Sequence, residues 1–248
     1  MVNPLSAFLL GFVPAAVLAG LLAAVACLWR RTHYAVHAFL AGAVGASFAA
    51  LLLLGLFRQA TGFMGESLQL TLIWLVYGPV AEEVIKLGFL AGLFLWALFR
   101  DGKGQENWAL CGALIGFGFA GAEGFVLLFG DPGREWSFEF LLTRWLGTAQ
   151  MHALATALVG WMLVRGQRSG SGLSVLHLGV GLVLAVFVHG LWNCMAGGLY
   201  VTGVPALRTH YAVLAGSILL AGTLGVVAWT ELFLRKKEKD MYLSSSYQ

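Results

Sequence analysis

Four stretches of this chain place ionisable side chains inside otherwise apolar sequence. They read Pro79-Val-Ala-Glu82-Glu83-Val-Ile-Lys86, Phe119-Ala-Gly-Ala-Glu123, Gln150-Met-His152, and His189-Gly-Leu-Trp-Asn193. Carboxylates and imidazoles together suit two chemistries. Histidine with carboxylate oxygen is a zinc donor set, and bound zinc makes hydroxide available near neutral pH. Alternatively, a glutamate takes a proton from water directly, with His and Asn steadying the oxyanion. Both are hydrolyses. Glu82 and Lys86 are four residues apart and share a helix face, and Glu83 is three from Lys86. A plain ion pair with Lys86 accounts for one glutamate and leaves the other available for reaction.

The sequence has no Gly-x-Ser-x-Gly elbow, no paired intramembrane aspartates and no His-Glu-x-x-His, which disfavours serine, aspartyl and site-2-type metalloprotease mechanisms. His33, His37 and His210 lie near the ends of apolar stretches and need no special role. His177 is twelve residues before His189, roughly 18 Å along the same helix, and is not expected in the site.

The elements that hold these residues must cross a bilayer. Of the 248 residues 59% are hydrophobic and 11% charged, less than half the roughly 25% a soluble domain carries. Mean hydropathy is +0.83. A soluble enzyme, a disordered chain and a nucleic-acid binder are all excluded. Seven stretches are long and apolar enough to be membrane helices, about Leu5–Trp29, Ala35–Phe57, Leu68–Phe99, Trp108–Phe129, Phe140–Val164, Leu173–Leu199 and Tyr211–Leu234. The expected fold is all-α, a polytopic bundle of about seven transmembrane helices, with residues 1–236 as one domain and 237–248 as a polar, poorly ordered tail. The third stretch, interrupted at Gly78-Pro79, is expected to make one crossing and to be the only broken one. Gly112, Gly116, Ala120 and Gly124 form a small-residue ridge for close helix approach.

Ten basic residues (Arg30, Arg31, Arg100, Lys103, Arg165, Arg168, Arg235, Lys236, Lys237, Lys239) fall on one side of this arrangement. Four (Arg58, Arg134, Arg144, Arg208) fall on the other. The positive-inside bias predicts an external amino terminus and a cytoplasmic carboxyl terminus, in the cell membrane. Counted from the cytoplasmic ends at about 1.5 Å per residue, Glu83, Glu123, His152 and His189 stand about 20–25 Å deep, in one layer. An intramembrane site at one depth on four helices points to a peptide or lipid substrate arriving sideways. Cleavage is expected in the outer part of a substrate's membrane segment, where water has the shorter path and unwinding is cheapest.

At these residues the sequence resembles PrsW-type intramembrane proteases, relatives of the CAAX prenyl proteases. The resemblance rests on Glu82-Glu83-x-x-Lys86, Phe119-x-x-x-Glu123, His152 and His189-x-x-x-Asn193 in that order, over about Gly78 to Asn193. It implies cleavage of a membrane-anchored protein, such as an anti-sigma factor, with Glu82 or Glu83 as base and Lys86 beside them. His189 and Asn193 would bind water or oxyanion, and Glu123 and His152 complete the site. A zinc ion held by His152, His189 and Glu123 is one implied mechanism, and a metal-free glutamate mechanism the other. The CAAX enzymes carry His where this chain has Glu123, so prenyl-protein processing is not expected. Two other classes fit the same residues less well. A proton- or ion-coupled transporter would call for inverted repeats and paired broken helices, which the sequence lacks. An inactive scaffold would not need the full polar set.

Overall fold

All seven apolar stretches form helices. The computed structural model describes residues 4–27, 34–101, 107–130, 138–168, 174–201 and 205–245. Helix α1 covers Pro4–Gly11 and Val13–Cys27, α2 Ala35–Ala60, α3 residues 66–101, α4 Trp108–Gly130, α5 residues 138–168, α6 Val175–Val201 and α7 Pro205–Ser245. There is no strand among the described residues. Arg30, Arg31, His33, Lys103 and Arg134 lie outside them.

Among the described residues four segments are long and apolar enough to cross a membrane: Ala35–Ala60, Trp108–Leu128, Val175–Ala196 and Val213–Lys236. Helix α3 carries Glu82, Glu83 and Lys86 within its apolar length, and α5 carries Arg144, Gln150 and His152. Helix α1 is divided at Phe12, just before Pro14. Pro14 has no N–H for the carbonyl of Leu10, four residues earlier. That carbonyl instead accepts from the indole Nε1–H of Trp145 on α5, at 2.7 Å.

Helix α4 is the axis of the bundle: 72% of its apolar window is buried, against 17% for α2 and 22% for α6. A Cβ at Gly112 would strike the carbonyl of Thr156, and one at Gly116 the carbonyl of His152. Gly160 answers from α5, lying against the carbonyl of Trp108. The small-residue ridge expected to permit close helix approach serves two neighbours. Gly112 and Gly116 face α5, whereas Gly124 packs on Gly11 of α1. A four-residue step overshoots a 3.6-residue turn by about 40°, so the ridge winds round the helix.

Three further expectations are corrected. The break in α3 is not unique, because π-helical turns occur at Ala41–Ala46 in α2, Ile73–Tyr77 in α3 and Thr143–Thr148 in α5. Nor is any of them a chain break: each widens one turn and re-aims the residues beyond it. The tail after Lys236, expected to lack order, continues α7 to Ser245. Its composition of Leu, Lys and Glu favours helix, and Arg235 pairs with Glu231 one turn back at 2.9 Å.

The π turn of α2 shapes the interior. Up to and within it, α2 lies hard against α4, with Gly42 on the carbonyl of Ile115 and Gly118 on that of Phe39. After it, the stretch Ser47–Ala60 draws away from α4 and leaves a cavity.

Candidate active site

The local structure of α3 decides how its two glutamates divide. In the Ile73–Tyr77 turn the N–H of Gly78 reaches back five residues to the carbonyl of Ile73. A Cβ at Gly78 would stand 2.7 Å from that oxygen, so the turn requires glycine there. Pro79 follows, and the adjacent Glu82 and Glu83 then leave the helix about 100° apart. Glu83 turns into the bundle with Lys86, both fully buried. Glu82 turns toward the cavity with 22% of its side chain exposed.

A continuous hydrogen-bonded chain links four helices. Lys86 Nζ lies 2.5 Å from Glu83 Oε1 and 2.9 Å from His152 Nδ1. An ammonium can only donate, so Nδ1 of His152 accepts, and the ring proton sits on Nε2. That Nε2–H donates to Glu123 Oε2 at 3.1 Å. Arg144 Nη2 donates to the same oxygen at 2.7 Å. On the other side Glu83 Oε1 accepts from His189 Nδ1–H at 2.8 Å. This leaves the Nε2 lone pair of His189 open, 3.8 Å from Glu82 Oε2. The rings fix one another: His152 meets Phe119 edge-on at 5.0 Å and His189 at 4.8 Å.

The charges balance in pairs, Glu83 with Lys86 and Glu123 with Arg144. Glu82 has no direct cationic partner among the described residues, and its Oε2 is buried without a hydrogen bond. A cavity of about 990 Å³ opens beside Glu82. Glu82, Glu123, His152 and His189 line it, with Ser47, Leu51 and Arg58 from α2, Trp74 and Tyr77 from α3, and Arg144 from α5. Glu83 and Lys86 lie behind its wall.

Five of the seven expected site residues thus share one network, Glu83, Lys86, Glu123, His152 and His189, and Glu82 stands beside it with Oε2 3.8 Å from His189 Nε2. Asn193 lines the same cavity, but its Nδ2–H₂ donates to the carbonyl of Trp74 at 2.8 Å. The metal-ligand set also differs from expectation. The residues whose donor atoms lie within 4.8 Å of one another are Glu82, His152 and His189. Glu123, expected as third ligand, is engaged with Arg144 and His152. Two histidines and a glutamate form a catalytic-type zinc donor set. The orphaned Glu82 Oε2 and open His189 Nε2 fit it, as does the hydrogen bond from His189 Nδ1–H to a second carboxylate.

Sequence reasoning missed Arg144, counted there only among the four basic residues of the less basic side. Its signal was its position eight residues before His152, about two turns along the same helix. The other histidines are elsewhere. His177 contacts Ser174 Oγ at 2.8 Å at the far end of α6, His37 lies among Tyr34 and Trp96, and His210 is exposed on α7.

Comparison with curated proteins and with solved structures gave no match. The pattern of a family described as PrsW family intramembrane metalloprotease matches residues 30–223, which include every residue of the network and most of the chain. The chain belongs to the PrsW family of intramembrane proteases, and its polar cluster is the candidate active site of a multi-pass membrane peptidase.

Proposed function

We propose that this protein is an endopeptidase that cuts the membrane segment of an anchored protein with a water activated by Glu82. One observation carries the choice of base: Glu82 faces the cavity without a direct cationic partner, whereas Glu83 is already held by Lys86 and His189. The 3.8 Å between Glu82 Oε2 and His189 Nε2 is too long for a hydrogen bond. It suits one water donating to both, which turns an oxygen lone pair toward the cavity. Glu82 takes the proton as the water oxygen attacks the scissile carbonyl, then returns it to the leaving amine as the C–N bond breaks. Arg144, at the cavity wall, supplies positive charge near the developing oxyanion.

Glu82, His152 and His189 would hold the metal that the family description implies. Zinc there would supply a water acidic enough to ionise near neutral pH. For His152 to ligate, it must exchange its hydrogen bond to Lys86 or to Glu123. Elemental analysis of active protein decides the type. About one zinc per chain supports the metalloprotease, and less than about a tenth supports a glutamate mechanism.

The cavity is lined by Arg58 and Arg144, from the group of four basic residues that the charge bias assigns to the outer face. This supports an external amino terminus, a site reached by water from outside the cell membrane, and a cut in the outer part of the substrate segment. The substrate class is a membrane-anchored protein of the anti-sigma-factor kind. Glu82→Gln and His189→Ala should each lower cleavage about 10²- to 10⁴-fold while the protein stays folded. Full activity in either would overturn the assignment, and a new terminus in the cytoplasmic half of the substrate would overturn the orientation.

A further inference from the structure

We propose that Asn193 is a positioning residue whose side-chain amide replaces the N–H that Pro79 lacks, fixing the π turn that aims Glu82 into the cavity. At the end of the Ile73–Tyr77 turn the N–H of Gly78 reaches back five residues to the carbonyl of Ile73. The next donor in that register would be residue 79, and its acceptor the carbonyl of Trp74. Residue 79 is proline, so this carbonyl has no partner within its own helix. Asn193 Nδ2 donates to that oxygen at 2.8 Å. The same device occurs at Pro14, where Trp145 donates to the carbonyl of Leu10. One turn of α6 therefore grips α3 twice, with His189 on Glu83 and Asn193 on Trp74.

The catalytic half of this proposal rests on Glu82 as base, and the structural half stands without it. The test uses the full chain in detergent as wild type, Asn193→Leu, Pro79→Ala and the double variant. Thermal unfolding midpoints are read alongside kcat and KM on a membrane-segment substrate. In the π register an alanine at 79 restores the N–H aimed at Trp74. Asn193→Leu alone should lower the midpoint and reduce kcat about tenfold with KM little changed. Adding Pro79→Ala should recover most of both losses. Should the leucine variant fail to fold, Asn193→Asp, similar in shape with no N–H to give, should show the same loss and the same rescue.

Losses that Pro79→Ala leaves untouched, with the midpoint of the Asn193 variant unchanged, would overturn the proposal and make Asn193 a donor to the reacting atoms. The coupling between midpoints needs no substrate. An inactive wild type with coupled midpoints would overturn the peptidase reading and leave the positioning role supported.

Discussion

Two seams meet at the site and are built in opposite ways. The seam between α4 and α5 is steric: Gly112, Gly116 and Gly160 bring backbone against backbone, with no room for one added carbon. The seam between α3 and α6 has no such approach, since a Cβ at Gly190 would sit at an ordinary 3.9 Å from the carbonyl of Leu75. It is held by polar bonds, Glu83 to His189 and Asn193 to Trp74. The first seam carries His152 and Glu123, and the second carries Glu82 and His189. Half of the site is thus set by shape and half by hydrogen bonds, so the two halves should fail differently.

The largest effect is expected on the steric side. Gly116→Leu drives a side chain into the backbone at His152, which cannot move aside. No monodisperse folded protein should be recovered on size exclusion, and an active, well-folded variant would refute the tightness of this seam. On the polar side Lys86→Met leaves the buried Glu83 carboxylate without its cation, a loss of about 3–5 kcal/mol. Adding Glu83→Gln should restore much of that stability in a denaturation series, because the uncompensated charge is gone. Additive losses would show that the pair is not the source. Arg144→Ala crosses from one half to the other, freeing Glu123 and so the Nε2–H of His152. A roughly tenfold fall in kcat/KM is expected, with the unfolding midpoint nearly constant. The smallest effects belong to positions outside both seams. A Cβ at Gly20 meets nothing within 4 Å, and His177 bonds to Ser174 at the far end of α6. Stability should move by less than about 0.5 kcal/mol in Gly20→Ala and in His177→Ala, with activity unchanged.

Much of this was legible in the sequence because the bilayer makes polar residues conspicuous. Glu83, Glu123, His152 and His189 stand out in apolar helices, and counting residues from the charged ends places them in one layer. What the sequence concealed is rotational. Which glutamate faces the cavity depends on the π turn at Ile73–Tyr77, and apolar residues in a π turn read like any others. The winding of the Gly112–Gly124 ridge is small per step but enough over three steps to change neighbours. Arg144 was hidden by its place near a helix end, where an arginine usually anchors to headgroups. Asn193 was legible as part of the site and misleading as to its partner, because the carbonyl it serves exists only through the proline on another helix.

That last arrangement bears on the order in which the protein is made. The chain is synthesised from the amino terminus, so α1 and α3 enter the bilayer before α5 and α6. Until then the carbonyls of Leu10 and Trp74 have neither their helical donor nor their side-chain substitute. A bare carbonyl in hydrocarbon is costly, so the early helices rest uneasily until Trp145 and Asn193 arrive. Translation past α6 therefore completes the hydrogen bonding of helices inserted long before it, and the first half of the chain is a finished membrane solute only in the company of the second.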